Sequence, residues 1–320
     1  MRTNILFLFI FFFAVVSCKK KENPFDPGAN VDFSPKNVTA QIVSPYVLKL
    51  NWEIPITVID EIRIDRKEND GEWINNIAPN LGNASTSWID YYCKPNTNYS
   101  YRIYAIAGVN TSDYSIVTKK TSTGNPTGTF TDNRDGRIYK WVQIGNQVWM
   151  AENLAYIPFV CPAEEVCGIW VAFYNGNDIS EAKSTDYYQT YGCLYDWTNA
   201  KQVCPEGWHL PSIDEWFEML NYLGGSSIAG DKLRETSREH WSDYLLITST
   251  TNESGFTAFA GGYASQVWMI GYHGMGSHAY FWTSDGDVNF ADYYLIDNTP
   301  VVKKGYDEII FGYSIRCIRD

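Results

Sequence analysis

The side chains of this 320-residue chain that could do chemistry are few and scattered. Histidine occurs four times, at 209, 240, 273 and 278. His209 lies in CPEGWHLPSIDEW (204–216), crowded by a cysteine, two prolines and two tryptophans just ahead of a helical pattern. A general base there needs a carboxylate or a nucleophile at a defined spacing, and none is specified nearby, so a bonded structural histidine is expected. No H-E-x-x-H, G-x-S-x-G or phosphate-binding P-loop occurs. Cys161 and Cys167 lack a second cysteine pair at zinc spacing.

The acidic run SDGDVNFAD (284–292) offers Asp285, Asp287, Asn289 and Asp292 as hard oxygen ligands. It lacks the glycine and the bidentate glutamate that an EF-type calcium loop places among them. TDNRDGR (131–137) fails similarly, with Thr131 at the first ligand position and Val142 at the twelfth, and suits a type I turn. No metal and no cofactor are expected. Upstream, residues 261–279 are rich in glycine and carry Trp268, Tyr272 and His273. Flexible backbone bearing aromatic rings makes poor core and a good recognition loop. Trp268, Tyr272 and His273, with Asp285 and Asp287 beside them, are the candidate ligand-binding residues. Phe281 and Trp282 are expected in the core.

These residues need a scaffold, and the pattern supplies two. Residues 1–17 form an apolar run too short to span a bilayer comfortably, the shape of a secretory signal. Residues 18–32 are polar and turn-forming, a tether. From 33 to 123, short runs of strand-forming residues recur between turn signals, near 37–43, 47–53, 60–66, 72–77, 84–89, 98–107 and 114–121. In VLKLNWE (47–53), Leu48, Leu50 and Trp52 share the core-facing parity and Val47 does not. TSTGNPTGTFTDN (121–133) is a Gly- and Pro-bearing boundary. A second domain fills 124–320. It opens on a hairpin, with Ile138 to Ile144 and Gln147 to Met150 flanking Gly145-Asn146. Within it, Ser212 and Glu215 form an S-x-x-E capping box. Ile213, Trp216, Phe217, Leu220 and Leu223 fall on one helical face, and Gly224 suits the C-terminal cap.

Several stretches resemble known families. Val15-Val16-Ser17-Cys18 resembles a bacterial lipobox, which implies cleavage before Cys18, lipid on its thiol and a membrane anchor. CKPNTNYSYRIYAIA (93–107) resembles the tyrosine corner of fibronectin type III domains. That resemblance makes Tyr99 the corner residue and Trp52 the buried tryptophan of the second strand. Cys93 stands where the motif has Leu and should be buried as a small hydrophobe. From DGRIYKWVQIGNQVWMAENL (135–154) onward, YGCLYDW, CPEGWHLPSIDEW, AGDKLRE, GFTAFAGGY, AYFWTS and the terminal GYSIRCIRD follow in an order similar to the Fibrobacter succinogenes major paralogous (FISUMP) domain of secreted and surface proteins. The element order also resembles a C-type lectin. That likeness implies a bridge from Cys204, before the helix, to Cys317 in the last strand. Export permits such a bridge. Cys161 can pair with Cys167, or Cys193 with either of them.

The expected architecture is an all-β fibronectin type III sandwich followed by an α+β C-type-lectin-like domain. The net charge of −12 argues against a nucleic-acid partner. The expected role is that of an exported, outer-membrane lipoprotein of the cell envelope, held to the membrane by Cys18 and binding a glycan or a surface protein without catalysis. An enzyme acting on extracellular polymers, or a structural component of a surface appendage, are the alternatives.

Overall fold

The computed structural model describes residues 23–26, 31–55, 58–79, 81–236, 239–242, 250–267 and 269–320. Cys18 and Trp268 lie outside them. In the first unit, β1 (Lys36–Ser44), β2 (Val47–Glu53), β3 (Glu61–Glu68), β4 (Trp73–Ile74), β5 (Ser87–Asp90), β6 (Asn98–Ala107), β7 (Asn110–Thr111) and β8 (Ser115–Lys120) form two antiparallel sheets. One runs β1-β2-β5; the other runs β4-β3-β6-β7, with β8 also pairing β6. Leu48, Leu50 and Trp52 meet Ile62, Ile64, Tyr101 and Ile103 between the sheets, as the alternation in β2 predicts. The Lys94 amide donates to the Tyr99 hydroxyl over 2.9 Å, which gives the corner expected of that tyrosine. Cys93 is buried in the same core. Residues 24–26, within the expected tether, touch this unit: Phe25 packs on the sandwich, and the Asn110 amide donates to the carbonyls of Pro24 and Asp26, each over 2.7 Å.

The second unit opens with β9 (Thr127–Thr131), β10 (Ile138–Ile144), β11 (Gln147–Met150) and β12 (Ile169–Trp170). Short helices α1 (Ile179–Ser184) and α2 (Asp186–Tyr191), β13 (Leu194–Tyr195), α3 (Trp197–Ala200) and β14 (Trp208–His209) lead to the main helix α4 (Ile213–Tyr222) and to α5 (Ser226–Leu233). Then come β15 (Gly261–Ser265), β16 (Gly271–Met275), β17 (Ala279–Gly286), β18 (Phe290–Ile296), β19 (Val302–Glu308) and β20 (Ile318–Arg319). One sheet runs β14-β20-β11-β10-β9, so β20 lies inside it, between β14 and β11. Another runs β16-β15-β17-β18-β19, and β12 pairs β13. Helix α4 has the full capping box, with Ser212 and Glu215 each taking the other's backbone N–H. Cys204 and Cys317 sit at disulfide distance, Cα–Cα 5.9 Å, and so do Cys161 and Cys167 at 6.1 Å, while Cys193 is a buried free thiol. Gly230 of α5 is needed where it stands: a Cβ there would lie 2.8 Å from the carbonyls of Thr299 and Pro300.

Three expectations change. Phe217 is exposed, and Met219 takes its place on the buried face of α4 with Trp216, Leu220 and Leu223. Residues 261–279 are not one loop: 261–265 and 271–275 pair as a hairpin, with Tyr263 opposite His273 and Ala264 opposite Tyr272. Val47 is buried although it has the outward parity, because the second unit covers it. Tyr46 and Val47 belong to the core cluster of Trp149, Trp216 and Phe256. Polar contacts close the same seam. Tyr46 donates to the Glu253 carbonyl, the Lys232 ammonium to the Tyr91 carbonyl over 2.7 Å, and the Asn125 amide to the Ser254 carbonyl over 2.9 Å.

Candidate functional site

The residues that look most chemical converge at the start of α4, and each is already engaged. His209 has carboxylates on both sides, with Nδ1 2.6 Å from Asp320 Oδ1 and Nε2 2.8 Å from Glu215 Oε1. The sequence expectation of no nearby carboxylate is therefore corrected. Asp320 lies 111 residues along the chain and arrives through β20. Burial pulls the His209 pKa down, but the bonds to Asp320 and Glu215 push it up by more, and the net shift is upward. Burial raises the Glu215 pKa, yet the Ser212 amide, His209 and the Ser212 hydroxyl bring it below the ordinary value. An imidazole with both nitrogens facing carboxylates has no lone pair free for a substrate proton. Asp285 accepts the Ile213 amide over 2.7 Å, and so serves the N-terminus of α4. Asp287 accepts the amides of Asn289 and Phe290 within its own turn, which lower its pKa.

The remaining ligand-binding candidates separate. Tyr272 and His273 are neighbours on β16, so their side chains leave opposite faces. His273 donates from Nε2 to the Met269 carbonyl over 2.8 Å and packs its ring 5.3 Å from that of Tyr263. Tyr272 points the other way, against Cys161, Trp170 and Leu194, and its hydroxyl donates to the Tyr174 carbonyl over 3.1 Å. The structure thus does not bring Tyr272, His273, Asp285 and Asp287 into one place.

Tyr272 instead opens a band of rings that sequence reasoning did not name. Its centroid is 5.5 Å from Phe173, which is 4.8 Å from Tyr187, which is 6.2 Å from Tyr191. Tyr191 continues to His240 at 5.6 Å and to Phe259 at 6.3 Å. Tyr187 and Tyr191 are four apart on α2, which places both on one helical face. Phe173 is the unusual member. It is 54% exposed and holds φ +58°, a left-handed conformation that bulky residues avoid. The Cys161–Cys167 loop lies alongside: the Ala163 amide donates to Asn175 Oδ1 over 3.1 Å, and Trp170 donates to the Glu165 carbonyl over 3.1 Å. Signals for the band existed in the pair of tyrosines in DYYQTY (186–191) and in the aromatics of VAFYNG (171–176).

No reactive thiol sits near these rings. Burial pushes the thiols of Cys93 and Cys193 up to about 12 each, far from thiolate chemistry at neutral pH. Among the described residues, no three His, Cys, Asp or Glu side chains gather as a metal site.

The model of the Fibrobacter succinogenes major domain matches residues 142–319, which hold α4, the ring band and the Cys204–Cys317 pair. The chain belongs to this family. As a member of the Fibrobacter succinogenes major domain family, it also resembles several solved fibronectin type III structures. The sixth such domain from human fibronectin type III domain containing protein 3 is 20% identical, covering 29% of this chain and 87% of that one at a TM-score of 0.26. A two-domain segment from chicken tenascin is 21% identical, covering 34% and 62% at 0.26. A computer-redesigned β-sandwich protein is 22% identical, covering 28% and 90% at 0.25. No curated protein matches the chain.

Proposed function

We propose that the chain is an exported cell-envelope lipoprotein, anchored through Cys18, whose second domain binds a glycan without catalysis. One observation supports this above the others: Phe173 is exposed in a strained backbone conformation at the centre of the Tyr272–Phe173–Tyr187–Tyr191 band. A bulky residue at positive φ costs about 1–3 kcal/mol, and exposed rings return little of that through burial. Tyrosine and phenylalanine faces suit the apolar faces of sugar rings, and tyrosine hydroxyls and nearby backbone serve the sugar hydroxyls. A C-type-lectin-like plan for the domain is part of the proposal, supported by the Cys204–Cys317 pair between the approach to α4 and the approach to β20. The residues at the start of α4 are bonded to one another, which supports binding rather than catalysis.

A glycan array probed with the two-domain protein tests the reading. Phe173→Ala is expected to weaken the best glycan by roughly 1–2 kcal/mol, as anchor truncations do, with thermal stability unchanged. Unchanged binding with a large fall in melting temperature would make Phe173 a packing residue and place the site elsewhere. Separately, Cys18→Ala protein should leave the membrane fraction; its retention there after normal processing would refute the anchor.

A further inference from the structure

We propose that the seam between the two domains holds a site for an amino-acid zwitterion with an apolar side chain. A cavity of about 310 Å³ lies there, with Tyr92 and Lys94 on the first domain and Ile228, Lys232, Glu253 and Pro300 on the second. That volume is at the small end of ligand pockets and suits a small molecule. Lys232 is 5% exposed, and its ammonium donates to one acceptor, the Tyr91 carbonyl at 2.7 Å. An ammonium carries three donors; the Tyr46 ring faces this one at 5.3 Å, and among the described residues no second hydrogen-bond acceptor reaches it. The Glu253 carboxylate accepts no hydrogen bond and makes no ion pair among the described residues, although its backbone is fixed by Thr251 and Tyr46. Burial lowers the Lys232 pKa and raises that of Glu253. The two charges feel each other without closing into an ion pair.

A buried ammonium left short of acceptors is costly, and Glu253, partly exposed at the same cavity, leaves its carboxylate open to an occupant. Lys94, paired with Glu68, and Asp231, paired with Arg234, also line the cavity, which leaves Lys232 and Glu253 as its charges without an ion pair among the described residues. An anion alone would serve Lys232 and confront Glu253, and a cation alone would do the reverse. A zwitterion satisfies both, its carboxylate on Lys232 and its ammonium on Glu253. Ile228 and Pro300 then offer an apolar wall to the side chain. Because both domains line the cavity, an occupant would tighten the seam and raise the melting temperature by mass action.

Titration calorimetry of the two-domain protein tests this with three probes: leucine, leucinamide (no carboxylate) and 4-methylpentanoate (no ammonium). Leucine is expected to bind and to raise the melting temperature, with the other two at least tenfold weaker. Glu253→Gln should weaken leucine at least tenfold and strengthen 4-methylpentanoate, whose carboxylate then no longer confronts a negative charge. Folding of that variant is checked by its unperturbed circular dichroism, since the carboxylate it alters makes no bond within the protein. No heat with leucine at about ten millimolar, a difference of less than tenfold among the probes, or a Glu253→Gln protein that binds leucine as before would each overturn the proposal. Glycan binding through Phe173 is unaffected by any of these outcomes.

Discussion

The start of α4 and the ring band around Phe173 divide polar and apolar chemistry between them. At α4, a histidine and three carboxylates are gathered within hydrogen-bond reach of one another or of the helix, and none is left free. Along the band, rings of unremarkable type stand half-exposed, and one holds a costly backbone conformation. Satisfied polar groups stabilise a fold, whereas unsatisfied surface is what a ligand can use. The region that looks like an active site is therefore a clamp, and the region that looks like surface is the better candidate for function.

The disulfides offer the largest test of that division. Cys204–Cys317 closes 113 residues and ties the approach to α4 to the approach to β20; Cys161–Cys167 closes six beside the band. Chain entropy makes the first worth about 4–5 kcal/mol and the second about 2 kcal/mol. Urea unfolding of Cys204→Ala/Cys317→Ala and of Cys161→Ala/Cys167→Ala should give losses in that order. Glycan affinity should fall in the second variant, because its loop braces the segment that carries Phe173. Equal losses of stability, or affinity falling in the first variant alone, would erase the distinction.

Local rules made one side of this contrast legible and long-range contact hid the other. Strand β6 at 98–107 and β2 at 47–53 follow alternation and turn signals, and α4 follows its capping box, because each is decided by neighbours in sequence. Phe217 departs because, at about 100° per residue, it falls farther round the helix from the stripe that Trp216, Leu220 and Leu223 bury than Met219 does. Val47 departs because a second domain, invisible to strand parity, covers it. The Asp285 bond to Ile213 spans 72 residues and the His209 bond to Asp320 spans 111, so the acidic run read in isolation gave no sign that Asp285 serves the N-terminus of α4. The ring band assembles Tyr272, Phe173, Tyr187 and Tyr191 from three segments that only the fold brings together.

Asp285 and Phe173 should respond to substitution with opposite signs of stability. Asp285→Ala strips the first turn of α4 of an acceptor and of a negative charge facing the helix N-terminus, at a cost of about 1 kcal/mol. Phe173→Gly removes a side chain from a left-handed position and is expected to raise stability by about 1 kcal/mol or less. Glycan affinity should survive the first change and not the second. Urea midpoints and binding measured on the same preparations separate the two roles, and a Phe173→Gly protein that loses stability would show that the ring is needed for packing.

The smallest effect belongs to His209, and its sign is set by two shifts of opposite direction. The folded pKa of His209 lies above its ordinary 6.5, so its stabilisation is complete below that pH and is lost as pH rises through the folded value. The folded pKa of Glu215 lies below its ordinary 4.5, so its share is complete above that pH and is lost as pH falls through the folded value. The stability gap between the protein and its His209→Gln variant should therefore be widest between about 4.5 and 6.5 and close toward alkaline pH. The side chains are partly exposed, 42% for His209 and 61% for Asp320, so screening keeps the gap small and added salt should narrow it. Glycan affinity across the same pH range should be flat, because burial raises the pKa of the Tyr191 and Tyr272 hydroxyls above the ordinary tyrosine value. An affinity that followed the His209 titration would move the ligand to the start of α4, and the clamp would have to be counted as part of the site.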